Sequence, residues 1–181
     1  MEMKSETKLR THYSTEVPRE DGAEVKLAGF VERIRVIGKL KFLVLRDKKG
    51  KIQITTRDEK LGKIIESLTK ESFICVKGKV RLNPEAPNGM EIIPDEIEVV
   101  SKASVPFPID ISGKIETMLS KRIDWRFLDM RRHEAMAIFI LEGKIVEYLE
   151  DFCRENDFTR IFTSRITSAA TEGGADYFKV R

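Results

Sequence analysis

The 181-residue chain is poor in cysteine and in uninterrupted apolar sequence, and each shortage removes a class of protein. Its two cysteines, Cys75 and Cys153, stand 78 positions apart with no CxxC and no Cys/His spacing. That excludes a disulfide framework and a zinc finger, and both thiols read as reduced and buried, as in a cytoplasmic protein. The longest near-continuous apolar run, Ala135 to Leu141, falls far short of the ~18 residues that span a bilayer. The N-terminus is charged and polar through Glu24, so no signal peptide is expected. There is no GxGxxG, no P-loop and no HxxH, hence no recognisable phosphate cradle or metal-ligand pair.

What the chain has is charge. Charged residues make up 35%, above the ~25% typical of soluble domains, alongside 41% hydrophobic residues, enough for a packed core. The net charge of +3 is uneven: residues 1–102 carry +4 and residues 103–181 carry −1. Within 33–57 nine basic residues (Arg33, Arg35, Lys39, Lys41, Arg46, Lys48, Lys49, Lys51, Arg57) face one acid, Asp47. This is the electrostatic footprint of a phosphate-backbone binder, although lysines protecting a solvated strand edge would leave the same trace.

Residues 1–23 read as an irregular arm. Period-2 segments follow: about 25–36, Leu40 to Arg46, Lys51 to Arg57, Phe73 to Arg81 and Met90 to Val100, with Pro94 marking a bulge or an edge. Asp47-Lys48-Lys49-Gly50 predicts a tight hairpin. Between the third and fourth strands, Leu61, Ile64, Ile65 and Leu68 recur at helical spacing behind a capping Asp58. Three strands, a helix and two strands is the order of an OB-fold barrel; an SH3-like barrel fits the strand count, and the helix favours the OB-fold. Ala103 to Gly113 reads as a linker. Lys114 to Arg132 predicts a short helix and a turn, His133 to Asn156 a long helix with a broad apolar stripe, and Thr159 to Phe162 a strand. The expected class is α+β: an OB barrel with its arm over 1–102, a linker over 103–113, and an incomplete second domain over 114–181.

Leu43, Leu45, Ile52 and Ile54 claim the core, which leaves Phe42 and Gln53 on the opposite faces of their strands; Arg33 and Arg35, two apart, share a face. A stacking ring, a base-reading amide and two phosphate-holding cations are what unpaired RNA requires.

Several segments resemble aspartyl-tRNA synthetases of the archaeal and eukaryotic type. Gly29-Phe30-Val31, Phe42 to Asp47 and Gly50-Lys51-Ile52-Gln53 are similar to the anticodon-binding OB domain. Arg126-Phe127-Leu128-Asp129-Met130-Arg131-Arg132 resembles the R-x-L-D-x-R-R opening of the catalytic domain. Glu134 to Ile166 resembles class II motif 1, a dimer-interface helix and strand, and Thr171 to Phe178 resembles the loop over the amino-acid pocket. The asparaginyl enzyme is the nearest relative, but its loop usually carries Cys where Thr171 stands. The resemblance implies that Phe42 stacks on an anticodon base, Gln53 reads the central uridine, Arg35 contacts the anticodon, Glu91 meets its first base and Glu172 binds the α-amino group of aspartate. Positions matching Glu32 and Pro87 vary with acceptance of tRNA(Asn) besides tRNA(Asp).

Two departures stand out: Ser164 replaces the motif 1 proline, and motifs 2 and 3, which clamp ATP, are missing. The resemblance therefore implies the N-terminal part of an aspartate–tRNA ligase, with no catalytic residue, metal or cofactor site in this chain and inactive alone. The complete enzyme would use ATP and Mg²⁺ in the cytoplasm, as a homodimer through the motif 1 helix. A stand-alone RNA-binding barrel, or a barrel with a protein partner, are the other readings.

Overall fold

The computed structural model describes residues 9–163. Ser164, Glu172 and the 171–178 loop lie outside the described residues. The chain divides into two units, residues 1–107 and 108–181.

The first unit is a closed five-stranded barrel. Alternating apolar residues form β1 (Glu24–Ile37), β2 (Leu40–Arg46), β3 (Lys51–Thr56), β4 (Phe73–Leu82) and β5 (Met90–Ser101), joined in the order β1-β2-β3-β5-β4. All pairings are antiparallel except β3 with β5. The inward residues, Leu27, Val31, Leu43, Leu45, Ile54, Ile74, Val76 and Ile92 among them, are at most 2% exposed. Helix α1 (Glu59–Ser67) packs against this core with Ile65, which contributes about 1.5–3 kcal/mol by burial, and Leu68 just past its end joins the same core. Asp58 caps α1 as its sequence position predicts, accepting the Leu61 amide at 2.8 Å.

At Pro94 the β4–β5 register shifts opposite Lys77 and Gly78. A Cβ on Gly78 would lie 2.3 Å from the Ile93 carbonyl oxygen, so only glycine lets the strands approach here.

The arm is less independent than its irregular sequence implies. Val17 is 5% exposed and joins the barrel core. The Asp47 carboxylate accepts from the Ser14 amide (2.6 Å), the Ser14 hydroxyl (2.9 Å), the Lys49 amide (2.8 Å) and the Gly50 amide (3.0 Å). One side chain thus shapes the β2–β3 hairpin and ties the arm to it.

The second unit holds α2 (Leu119–Asp124), α3 (Arg126–Asp129) and α4 (His133–Glu155). Asp129 is fully buried and accepts from Arg122 at 2.8 and 3.2 Å, with Arg126 and Arg132 each at 3.5 Å. These contacts hold its carboxyl below the usual range, the Arg122 hydrogen bond foremost. The α4 stripe is exposed among the described residues, with Ile138, Leu141 and Leu149 near 60%.

Two expectations are corrected. Cys153, expected buried with Cys75, is exposed on α4. The strand expected over Thr159 to Phe162 is not formed: among the described residues, residues 158–163 pair with no strand, and an extended segment without a ladder partner is not held as sheet.

Replacing Asp47 by alanine removes four accepted hydrogen bonds at once. The expected loss is about 1.5–3 kcal/mol, seen as a lower urea midpoint with an unchanged slope; an unaltered midpoint would show that arm and hairpin are held by other contacts.

Candidate nucleic-acid interface

The outward face of β1 depends on one extra residue. Val31 pairs with Leu45 but Arg33 pairs with Val44, so β1 advances two residues while β2 advances one, and Glu32 is the bulge. Before it, the inward positions are odd-numbered, Val25, Leu27 and Val31; after it, Ile34 packs against the core. Without the bulge, Arg33 and Arg35 would follow Val31 into the barrel. With it they point outward, and both are exposed.

The registers then place the candidate residues in two rows. In the first, Arg35 stands opposite Phe42, and Phe42 opposite Thr55. In the second, Arg33, Val44, Gln53, Glu91 and Arg81 follow one another around β1, β2, β3, β5 and β4. Phe42 is half-buried, its ring standing among outward residues instead of the core. Gln53 is its diagonal neighbour, roughly 7–8 Å away for such pairs. All five expected barrel residues, Arg33, Arg35, Phe42, Gln53 and Glu91, therefore share one face.

Glu91 differs from the others in being 1% exposed. One of its oxygens accepts from Arg81 Nε (3.0 Å), Arg81 Nη2 (2.6 Å) and Asn83 Nδ2 (2.8 Å). The other accepts from Gln53 Nε2 at 3.0 Å and from the Thr55 hydroxyl. Burial pushes its carboxyl pKa up, but the bonds donated by Thr55, Asn83, Arg81 and Gln53 outweigh that and bring it down to about 2. Glu91 is the floor beneath Gln53.

The basic residues separate into two groups. Lys41, Arg46, Lys49 and Lys51 are neutralised by Glu66, Glu71, Glu16 and Glu32. Lys48 lies over the Tyr13 ring at 4.8 Å. Arg33, Arg35, Lys39 and Arg57 are exposed, and among the described residues no ion pair is formed by them. They lie around Phe42: Arg35 opposite it, Arg33 next along β1, Lys39 at the β1–β2 turn and Arg57 just past β3. Cations left without acids beside a stacking ring are arranged for a polyanion with exposed bases.

Sequence reasoning did not reach Arg81, Asn83 and Thr55, which complete the Glu91 network. Arg81 reads as one more outward cation after Lys77 and Lys79, and only the register shows its carboxylate partner. The Glu32 bulge did leave a trace, the switch of apolar residues from odd to even numbers between Val31 and Ile34.

A barrel of this topology with this face belongs to the class of OB-fold nucleic acid binding domains, and residues 25–100 match that family model. Residues 118–181 match the model for class II tRNA synthetases (D, K and N). Over the segment it spans the chain is similar to aspartate–tRNA ligases. It is 41% identical over 177 residues to the aspartate–tRNA(Asp) ligase of Thermococcus kodakarensis, covering 95% of this chain and 40% of that one. The aspartate–tRNA(Asp/Asn) ligase of Methanopyrus kandleri is also 41% identical, covering 95% and 41%. Among solved structures, the asparaginyl-tRNA synthetase of Pyrococcus horikoshii with asparaginyl-adenylate superposes with a TM-score of 0.82 at 29% identity, covering 94% of this chain and 40% of that one. The chain thus spans about two fifths of the length of the curated relatives it matches.

Glu91 also makes stability depend on acid. A carboxyl held at about 2 in the fold and near 4.5 in the unfolded chain contributes fully above pH 4.5. That contribution, about 3 kcal/mol, is lost as pH falls toward 2. Urea unfolding from pH 5 to pH 2 should show this loss in the wild type and not in Glu91→Gln; parallel curves would contradict it.

Proposed function

We propose that this chain is the anticodon-binding portion of an aspartate–tRNA ligase, with the face around Phe42 as its RNA contact. The observation that supports this most directly is the co-facial set of Phe42, Gln53, Arg33 and Arg35, ringed by cations without acids. An unpaired base stacks on Phe42, Gln53 meets the base edge, and Arg33 and Arg35 hold the adjoining phosphates or base oxygens. The carboxylate of Glu91 is already saturated, so its part in the contact is to support Gln53. The resemblance assigns the central uridine of the anticodon to Gln53 and the α-amino group of aspartate to Glu172.

The complete protein then joins aspartate to tRNA(Asp), and tRNA(Asn) is a second candidate substrate because both kinds of name occur among the relatives. ATP and Mg²⁺ supply adenylation in such an enzyme. Among the described residues no group of three or more His, Cys, Asp or Glu is placed to hold a metal ion. The exposed apolar stripe of α4 is the surface for a homodimer in the complete protein. A cytoplasmic location fits this role; among the described residues no helix is long and apolar enough to cross a membrane.

Titrating the 181-residue chain with an anticodon stem-loop tests the face. Phe42→Ala should weaken binding by about 1–3 kcal/mol at an unchanged melting temperature. Arg33→Ala and Arg35→Ala should each flatten the dependence of log K on log[salt] by about 0.7 if the phosphates contacted are single-stranded. Affinity indifferent to Phe42, with a flat salt response, would favour a protein partner instead.

A further inference from the structure

One of the nine basic residues in 33–57 does not stand where a ligand cation belongs. Strand side chains alternate, and Lys41 falls on the same side of β2 as Leu43 and Leu45, both buried in the core. Its side chain is only 15% exposed. The stem lies against α1, where a Cβ on Gly62 would come 3.3 Å from Lys41 Cγ and 3.5 Å from its Cε. An apolar side chain would fill that place without desolvating an ammonium group. What the lysine adds is at its tip.

Lys41 Nζ donates to the Gly38 carbonyl at 2.9 Å and pairs with Glu66 of α1 at 2.5 Å. Glu66 stands in the last turn of α1, where the helix dipole disfavours a carboxylate and a cation partner offsets that cost. Gly38 and Lys39 form the two-residue β1–β2 turn, Gly38 with φ +56. Burial does not anchor this turn: Val36 and Ile37, which lead into it, are 48% and 49% exposed. One ammonium group therefore joins the turn to the helix that packs on the barrel core. On that turn stands Lys39, and three residues before Gly38 stands Arg35, two of the cations left without acids around Phe42.

Resting on the reading that the face around Phe42 binds RNA, we propose that Lys41 and Glu66 are positioning residues for it. They hold the β1–β2 turn in place before RNA arrives, so that Lys39 and Arg35 meet phosphates without first being ordered. Neither touches RNA. Fixing the turn in advance removes an ordering cost from binding, and affinity gains by that amount. Charge counting and positioning predict opposite signs for Glu66. By long-range attraction alone, removing an acid strengthens the binding of a polyanion. With that acid as half of the tie, removing it weakens binding.

The test measures the affinity of the 181-residue chain for an anticodon stem-loop over a range of salt, in wild type, Lys41→Met and Glu66→Gln. Methionine keeps an unbranched apolar stem against Gly62. Both variants should bind about 3- to 10-fold more weakly, the scale of ordering one or two side chains at an interface. The slope of log K against log[salt] should stay as in wild type, because the phosphate contacts themselves are kept. The double variant should lose no more than the weaker single one. A slope flatter by about 0.7 in Lys41→Met would make Lys41 a direct phosphate contact and overturn the inference. Tighter binding by Glu66→Gln would overturn it too.

Should Lys41→Met fail to fold, Glu66→Gln carries the test, since Glu66 is a half-exposed helix position outside the barrel core. Backbone NMR order parameters of the free protein add a readout that needs no RNA. For Gly38 to Leu40 they should lie near about 0.85 in wild type and fall below about 0.6 in Glu66→Gln. RNA binding with unchanged order parameters and affinities overturns the positioning role alone, whereas a wild type that binds no RNA overturns the reading of the face as well.

Discussion

One inserted residue decides what this barrel can bind. Strand side chains alternate strictly, so the face a residue occupies is fixed by counting from its neighbours. Counting from Val25, Leu27 and Val31 sends Arg33 and Arg35 inward, where two guanidinium groups would have no water and no acids. The bulge at Glu32 resets the count, turns both arginines outward and lets Ile34 pack against the core. Glu32 is itself held by Lys51 at 2.8 Å, an ion pair that ties β1 to β3. The extra residue costs a break in the ladder, and in return the cations, the ring and the amide stand on a single surface.

On that surface, charge is sorted by whether it is already spent. The cations at Lys41, Arg46, Lys49 and Lys51 serve the fold, each tying a strand or hairpin to an acid on another segment. Those around Phe42 are left for a ligand. Glu91 links the two groups, since its buried carboxylate anchors Arg81 and Asn83 on one side and holds Gln53 on the other. A buried carboxylate costs desolvation, and here the donated hydrogen bonds exceed that cost. The side chain that adds to stability thus also supports Gln53 in the proposed RNA contact.

Much of the barrel was legible because its signals are local. The alternation of Leu43 and Leu45 against Phe42, the Asp47 to Gly50 turn and the Asp58 cap each follow from residues a few positions apart. What was not legible depends on partners distant in sequence. Val17 and Ser14 look like parts of a polar arm until the barrel and Asp47 are placed beside them. Gln53 and Glu91 are separated by 38 positions and meet only through the parallel β3–β5 pairing. The expected strand at Thr159 to Phe162 failed for the related reason that a strand is defined by its neighbour. Cys153 was misjudged because a wide apolar stripe on α4 reads as burial whether or not anything covers it.

The account turns on the face of β1, β2 and β3 being where RNA sits. Backbone amide NMR of the 181-residue chain, titrated with an anticodon stem-loop, measures this directly. The account predicts that perturbed residues gather around Arg33, Arg35, Phe42, Gln53 and the β1–β2 turn. Perturbations centred instead on the opposite side of the barrel, around Lys26, Cys75 and Glu98, would contradict it.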